Sequence, residues 1–400
     1  MEMGIKMKIA MYWHNGRSLG HTAEMAKITK TLVESFSNTY MAGISGAFKG
    51  LDMLPSKVDI FKLPSFSNYD RKEGWSYIGN QGLPVEILFE LRKKLIYDYL
   101  NIYMPDIFMA NHLPNGLYNE LIPALDLLKN SLKILTLRGI LFDKEKTEKE
   151  YFSGEASKIL KNYYDSIIVH IDPNIFALED NYDIPDYIKE KIHYVGYLSP
   201  KFTLNKLESR NELGIPQNQK VIVASMAGGQ GALNIWKKII EALHTNRGHF
   251  DICYLITGPY LEYESKMILK KIGQDIPQIC VMEYVSNMQT WMTASDLFIG
   301  AAGSSMLGEI ISTSCNAIVI PRQIREIEQY IHSYELSKKG LLRVSSLKET
   351  YEGKLEKLIL EAIKEPIDSS KHNINIDGLK NYPSLIQRKY EEVKGYEAKW

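Results

Sequence analysis

"KIAMYWHNGRSLGHTAEMAKITKTL", Lys8 to Leu32, is the stretch on which the fold turns. A mostly apolar run, Lys8–Trp13, enters a turn holding Gly16 and Gly20. Beyond it Met25, Ile28, Leu32 and Phe36 recur at helical spacing. A strand, a glycine turn and a helix in that order make one unit of a parallel sheet covered by helices. Such a turn lets a ligand approach the free amides at a helix N-terminus. His21 stands in this turn and leaves two readings open. Its near-neutral imidazole suits proton transfer, and a capping or packing histidine would look the same.

The unit recurs along the chain. Further strand candidates in the first half are Val58–Leu63, Asp106–Asn111, Leu132–Leu137 and Ser166–Ile171. In the second half they are Val221–Ala227, Asp251–Thr257, Ile279–Glu283, Asp296–Gly300 and Asn316–Pro321. Short continuous apolar runs of this kind belong to parallel strands buried on both faces. Helical patterns lie between them, such as Trp236, Ile239, Ile240 and Leu243. The expected class is α/β, with two Rossmann-like, doubly wound domains facing across a cleft. The polar, turn-rich segment Tyr194–Lys220, with Pro200 and Pro216, marks the seam. This divides the chain into domains 1–200 and 201–375, with a helix in 376–400 that crosses back to the first domain.

Composition narrows the function. At 400 residues the chain is long for one core. Lys plus Arg and Asp plus Glu both number 48, so no overall field favours nucleic acid. Cys253, Cys280 and Cys315 are far apart, and each lies in an apolar run. Buried free thiols in a reducing compartment fit that placement. The chain has neither an apolar run near the roughly 20 residues of a membrane span nor a signal-peptide core. A cytoplasmic location is the expectation. Peripheral membrane contact through Leu88–Tyr103 has a simpler alternative, an amphipathic helix facing the core.

Two more glycine turns follow strands in the second half. One is "SMAGGQGALN", Ser225–Asn234, with Gly228, Gly229, Gln230 and Gly231. The other is "GAAGSSMLGEI", Gly300–Ile310, with Gly303, Ser304 and Ser305 at a helix start and Glu309 a turn further on. Both can hold phosphate on backbone amides, and both can be tight packing alone. Neither is a Walker loop, and neither fits the dinucleotide pattern, which disfavours an oxidoreductase. Glu309 could bind ribose hydroxyls or simply favour the helix dipole. Glu328 and Gln329, opening the pattern after "PRQIREI", could ligate a sugar or form a helix surface.

Taken together in order, these segments resemble the GT-B glycosyltransferases of family 28, the branch that includes the peptidoglycan N-acetylglucosaminyltransferase forming lipid II. "GGQGALN", "YVSNMQTWMTASDLFIGAAGSSMLGEI" and "PRQIREIEQY" are similar to its glycine-rich donor loop, its base-to-ribose segment and its sugar loop. "SLGH", "NHLPNG" (Asn111–Gly116) and "LRGIL" are similar to segments of a related group of predicted glycosyltransferases. The resemblance covers residues 7 to 345.

It implies a donor site in which Val285 holds the nucleobase through its backbone and Glu309 the ribose. Gly228, Gly229, Gln230, Gly231, Gly303, Ser304 and Ser305 would surround the diphosphate, and Glu328 and Gln329 would contact the sugar. His21 would be the general base and Asn111 its orienting partner. The acceptor would meet Gly20 and His112, with Tyr69, Trp75 and Tyr77 of the aromatic insert Phe66–Pro84. Relatives carry Asp where Asn111 and Gly139 stand, so a His–Asp dyad is in doubt.

The implied activity is inverting transfer of a hexose-type sugar, such as N-acetylglucosamine, from a nucleoside diphosphate donor. UDP is the expected nucleotide, and a small molecule or a lipid-linked group the acceptor. No Asp-x-Asp triplet occurs, which agrees with a metal-free, cofactor-free reaction. The alternatives are a nucleotide-sugar hydrolase on the same fold and a non-catalytic nucleotide-sugar-binding protein.

Overall fold

The computed structural model describes residues 7–14, 20–47, 50–71, 74–79, 82–322 and 327–397. Two compact units are present, Met1–Leu198 with Asp377–Trp400, and Ser199–Ile376.

The first unit is built on β1 (Met7–Trp13), β2 (Thr39–Ser45), β3 (Val58–Lys62), β6 (Ile107–Asn111), β7 (Leu132–Arg138), β8 (Ser166–His170) and β9 (Ile192–Tyr194). They form one sheet in the order β3-β2-β1-β6-β7-β8-β9, and every pairing is parallel. Ile9–Trp13 are fully buried, as a strand covered on both faces must be. Met25, Ile28 and Leu32 of the helix Gly20–Ser35 pack in the same core as Tyr382 and Ile386 of the C-terminal helix Gly378–Glu397.

Between β3 and β6 lie an antiparallel hairpin, β4 (Phe66–Arg71) and β5 (Gly74–Gly79), and the helix Val85–Tyr103. That helix buries Leu88, Phe89, Arg92, Ile96 and Leu100 and leaves Ile87 and Ile102 exposed. Arg92 is held by a bidentate pair to Glu120, 2.7 and 2.8 Å, with both side chains fully buried. Its charge-assisted geometry ties the helix to the residues following β6. Among the described residues no helix is long and apolar enough to cross a membrane.

The second unit contains β10 (Val221–Ser225), β11 (Ile252–Ile256), β12 (Ile279–Met282), β13 (Leu297–Ala301), β14 (Ala317–Ile320) and β15 (Arg343–Val344). Their order is β12-β11-β10-β13-β14-β15, again all parallel. The helix Leu233–Thr245 seats Trp236, Ile239, Ile240 and Leu243 on this sheet.

All ten runs read as strands are strands. The sequence reading passed over β2, whose "TYMAGIS" opens on Thr39 and is interrupted by Gly43, and the short edge strands β9 and β15. The insert expected as an aromatic, turn-rich loop is the β4–β5 hairpin. Cys253 and Cys315 are buried thiols, but Cys280 is only partly buried.

Candidate functional site

In an open parallel sheet, ligand sites form where the strand order reverses, because the loops there leave in opposite directions and open a crevice. Each unit has one such point. In the second it lies between β10 and β13, since β11 and β12 run outward on one side and β14 and β15 on the other. Ser225 pairs with Gly300, so the two glycine turns read from the sequence leave the sheet side by side.

The turn after β10 is tightly wound. Ala227, Gly229 and Gly231 all have positive φ, 53°, 84° and 66°. Gly229 N donates to Met226 O at 3.1 Å and Ala232 N to Gly229 O at 3.1 Å. Tyr260 N donates to Gly228 O at 2.8 Å, tying the turn to the segment after β11. Gln230 is exposed. Gly231 N donates to Glu262 Oε1 at 3.0 Å, so a carboxylate already sits on one loop amide.

After β13, Gly303 is the N-cap of the helix Ser304–Thr313 and supplies no side-chain cap. The first amides of that helix therefore lack the usual side-chain acceptor, which suits an anion. Ser304 and Glu309 are partly buried and Ser305 is exposed. Val285 is partly buried in the loop between β12 and the helix Met288–Ala294. Glu328 and Gln329 open the helix Glu328–Lys338 after β14. Gln329 Oε1 accepts from Arg322 N at 3.1 Å, so its amide holds the backbone at the end of that strand. Two residues here were not singled out from sequence. Burial lowers the Arg322 pKa, and the Glu262 carboxylate counteracts it. Arg322 is part of "PRQIREIEQY", where only Glu328 and Gln329 point to a ligand from sequence, and Glu262 belongs to no motif.

In the first unit the order reverses between β1 and β6, where Tyr12 pairs with Ala110. His14 follows β1, His112 follows β6, and His21 is the second residue of the helix Gly20–Ser35 rather than part of the preceding turn. Gly20 opens that helix. The three imidazoles form a cluster, with ring centroids 4.4 Å apart for His14–His21, 5.3 Å for His21–His112 and 6.5 Å for His14–His112. His112 has φ of 69°, an unusual conformation for a residue with a Cβ. It is held there by His112 N donating to Thr136 O at 2.8 Å and by the Tyr151 hydroxyl donating to His112 O at 3.0 Å.

His21 Nδ1 lies 2.6 Å from Asn111 Oδ1. Behind Asn111 stands a buried polar network. Asn111 Nδ2 donates to Glu24 Oε1 at 3.3 Å and to Thr136 Oγ1 at 3.1 Å. Glu24 also meets His170 Nδ1 at 2.7 Å and Arg138 Nε at 3.2 Å. The far ring nitrogen of His170 meets the Tyr382 hydroxyl. The sequence reading had Asn111 and His112 but not His14, Glu24, Arg138, His170 or Tyr382.

Burial is the main cause of low pKa values in the cluster. It takes His14 to about 4, with the Arg138 and Arg92 charges adding to the effect. It takes His112 to about 3, with Arg138 and His14 adding and Glu24 opposing. His21 falls well below the usual imidazole value through burial, Arg138, His14 and His112, again against Glu24. Burial alone would raise the Glu24 carboxyl, but its hydrogen bond from His170 and the Arg138 charge bring it far below the usual range. The arrangement is a set of neutral imidazoles beside one ionised carboxylate.

The expectation for Tyr69, Trp75 and Tyr77 concerns side chains outside the described residues; their backbone lies in β4 and β5. Among the described residues, no three His, Cys, Asp or Glu side chains are grouped to hold a metal ion.

Residues 222–386 match the glycosyltransferase family 28 C-terminal domain. Over 177 residues the chain is 25% identical to the UDP-N-acetylglucosamine–N-acetylmuramyl-(pentapeptide) pyrophosphoryl-undecaprenol N-acetylglucosamine transferase of Acetivibrio thermocellus. That stretch covers 44% of this chain and 45% of the relative, so the chain spans about half the length of the curated protein it matches. The structure of Acinetobacter baumannii MurG superposes with a TM-score of 0.61 at 12% identity, covering 96% of this chain and 99% of the other. The S. aureus MnaA–UDP structure gives a TM-score of 0.58 at 10% identity, covering 96% and 97%. At such identities the likeness speaks for the fold. Residues 222–386 are thus glycosyltransferase family 28-like, in a chain whose fold is that of the GT-B glycosyltransferases.

Proposed function

We propose that this protein is an inverting glycosyltransferase that moves a hexose-type sugar, in the manner of N-acetylglucosamine, from UDP to a lipid-linked or small-molecule acceptor without a metal ion. The observation that carries the reading is the pairing of two glycine turns at the switch point of the second sheet, inside the segment that matches family 28. There, loop amides and the uncapped helix N-terminus stabilise the charge that develops on the leaving diphosphate. Glu309 binds the ribose, Val285 the base, and Glu328 with Gln329 the sugar.

His21 is the base that takes the acceptor hydroxyl's proton, acting as a neutral imidazole. Its low pKa keeps it unprotonated at neutral pH. The relative in Acetivibrio thermocellus bears the name of an enzyme using UDP-N-acetylglucosamine and an undecaprenol-linked acceptor, which supports the donor and acceptor classes. The absence of an Asp-x-Asp triplet supports the metal-free reaction, and the protein is expected in the cytoplasm, where nucleotide sugars are made.

A thermal-shift screen of UDP-, dTDP- and GDP-sugars tests the donor. A ligand at 100 times its Kd adds about 2.7 kcal/mol of stability. Stabilisation by UDP-sugars, with transfer to an added acceptor, is the expected result. Sugar release in the absence of acceptor identifies a hydrolase instead, and binding without turnover a non-catalytic binder.

A further inference from the structure

Asn111 stands between His21 and the buried Glu24 carboxylate, and its two ends are chemically distinct. We propose that Glu24 is the positioning carboxylate of the histidine site, acting on His21 through the Asn111 amide. The inference rests on the reading of His21 as the base and deepens it.

Donors and acceptors decide which way the amide lies. An ionised carboxylate only accepts hydrogen bonds. Glu24 therefore requires the NH2 end of Asn111, and Nδ2 lies 3.3 Å from Glu24 Oε1. Thr136 does not oppose this: its hydroxyl, 3.1 Å from Asn111 Nδ2 and 3.4 Å from Ala110 O, can donate or accept and adapts to whichever amide end faces it. It is the Glu24 carboxylate that commits the NH2 end. Only Oδ1 is left for His21, so His21 Nδ1 must carry the hydrogen across the 2.6 Å contact. Its Nε2 is then the basic nitrogen.

Glu24 is itself fixed from three elements. It stands three residues beyond His21 on the same helix, His170 reaches it from the end of β8 at 2.7 Å, and Arg138 from the end of β7 at 3.2 Å. The carboxylate absent at position 111 is supplied one helical turn along. An amide set between it and the imidazole passes on orientation and reduces the charge effect. The charged and titratable groups acting on His21 are Arg138, His14, His112 and Glu24.

The test is nitrogen NMR of histidine side chains in the resting full-length protein, with Glu24→Gln and the swap Glu24→Gln/Asn111→Asp. In the parent protein His21 should show one tautomer, hydrogen on Nδ1. In Glu24→Gln the carboxamide oxygen stays on Arg138, which only donates, and its NH2 end faces Asn111, so Asn111 can turn over and His21 should lose the single Nδ1–H tautomer. Its titration should also move to lower pH, because a negative charge is gone, and transfer should slow at least about tenfold. The swap puts a carboxylate directly against His21 and should restore the single tautomer with a higher titration point.

Hydrogen on Nε2 in the parent protein overturns the proposal. So does a Glu24→Gln protein whose tautomer and titration are unchanged. If Glu24→Gln does not fold, Asn111→Ala cuts the same link, and a retained single tautomer there overturns it equally. Because the NMR needs no donor, a normal tautomer response with no sugar transfer would leave this inference standing and remove the functional reading.

Discussion

A Cβ at Gly229 would lie 2.1 Å from the carbonyl oxygen of Thr257, so the glycine turn after β10 rests directly on the backbone that follows β11. That contact, with φ of 84°, admits only glycine. At Gly303 the opposite holds, since an added Cβ would meet nothing within 4 Å and φ is −68°. The two positions separate shape from ligand. Gly229→Ala should lower the Tm, with a left-handed strain of about 1–2 kcal/mol before the clash is counted. Gly303→Ala should leave the Tm unchanged yet weaken UDP binding roughly tenfold, about 1.4 kcal/mol. Calorimetry showing parent-like affinity in Gly303→Ala would remove that helix start from the diphosphate site.

Glu309 lies on the helix that Gly303 caps, partly buried, with its backbone carbonyl accepting from Ser312 and Thr313. Its side chain is the proposed ribose ligand. Glu309→Ala should keep the fold and cost roughly 1.5–3 kcal/mol of UDP affinity, the worth of a charged hydrogen bond. An unchanged Kd assigns Glu309 to the helix surface.

Gln329 is tied to Arg322 N through its amide oxygen, so a purely structural role is a real competitor for sugar contact. Gln329→Ala distinguishes the two. Sugar contact raises KM for the nucleotide sugar while sparing free UDP. Equal weakening of both ligands would mean that the residue only shapes the end of β14.

His21→Ala should reduce kcat by roughly 10²–10⁴, the usual contribution of a positioned base. Nucleotide affinity should hardly change, because the proposed donor residues lie in the other unit. A base works only when unprotonated, so activity is lost as pH falls through the His21 pKa. With that pKa well below 6.5, kcat/KM should stay level below the usual imidazole range before it declines, and the decline should vanish in the variant. EDTA should leave the rate intact; a loss reversed by magnesium or manganese contradicts the proposed metal-free reaction.

Stability should itself depend on pH, with a definite sign. His14 and His332 are lowered to about 4 and His112 to about 3, mainly by burial, against 6.5 for a free imidazole. Below pH 6.5 the unfolded chain takes up protons that the folded one refuses. The stability these groups contribute is complete above pH 6.5 and declines as pH falls towards 4. Each can add a slope of up to about 1.4 kcal/mol per pH unit. Urea midpoints at pH 7.5, 5.5 and 4.5 measure this. A flat profile would mean that the imidazoles are solvated rather than buried.

What the sequence determined by itself was local. Apolar runs such as Val221–Ser225 and Leu297–Ala301 are legible because a parallel strand is buried on both faces, and the glycine turns are legible because the backbone there requires them. Strands with weak local signals escaped, as β2 did with Thr39 and Gly43. Tertiary structure decided which turns meet. Only the strand order brings the turn after β10 beside the one after β13, and His14 beside His112. It also decided the partners of His21. Asn111 is 90 residues away in the chain, Glu24 reaches His170 across 146, and His170 reaches Tyr382 across 212. No spacing rule spans such separations. These groups meet because buried polar atoms must find partners, and the packing of two helices on one sheet leaves them only each other.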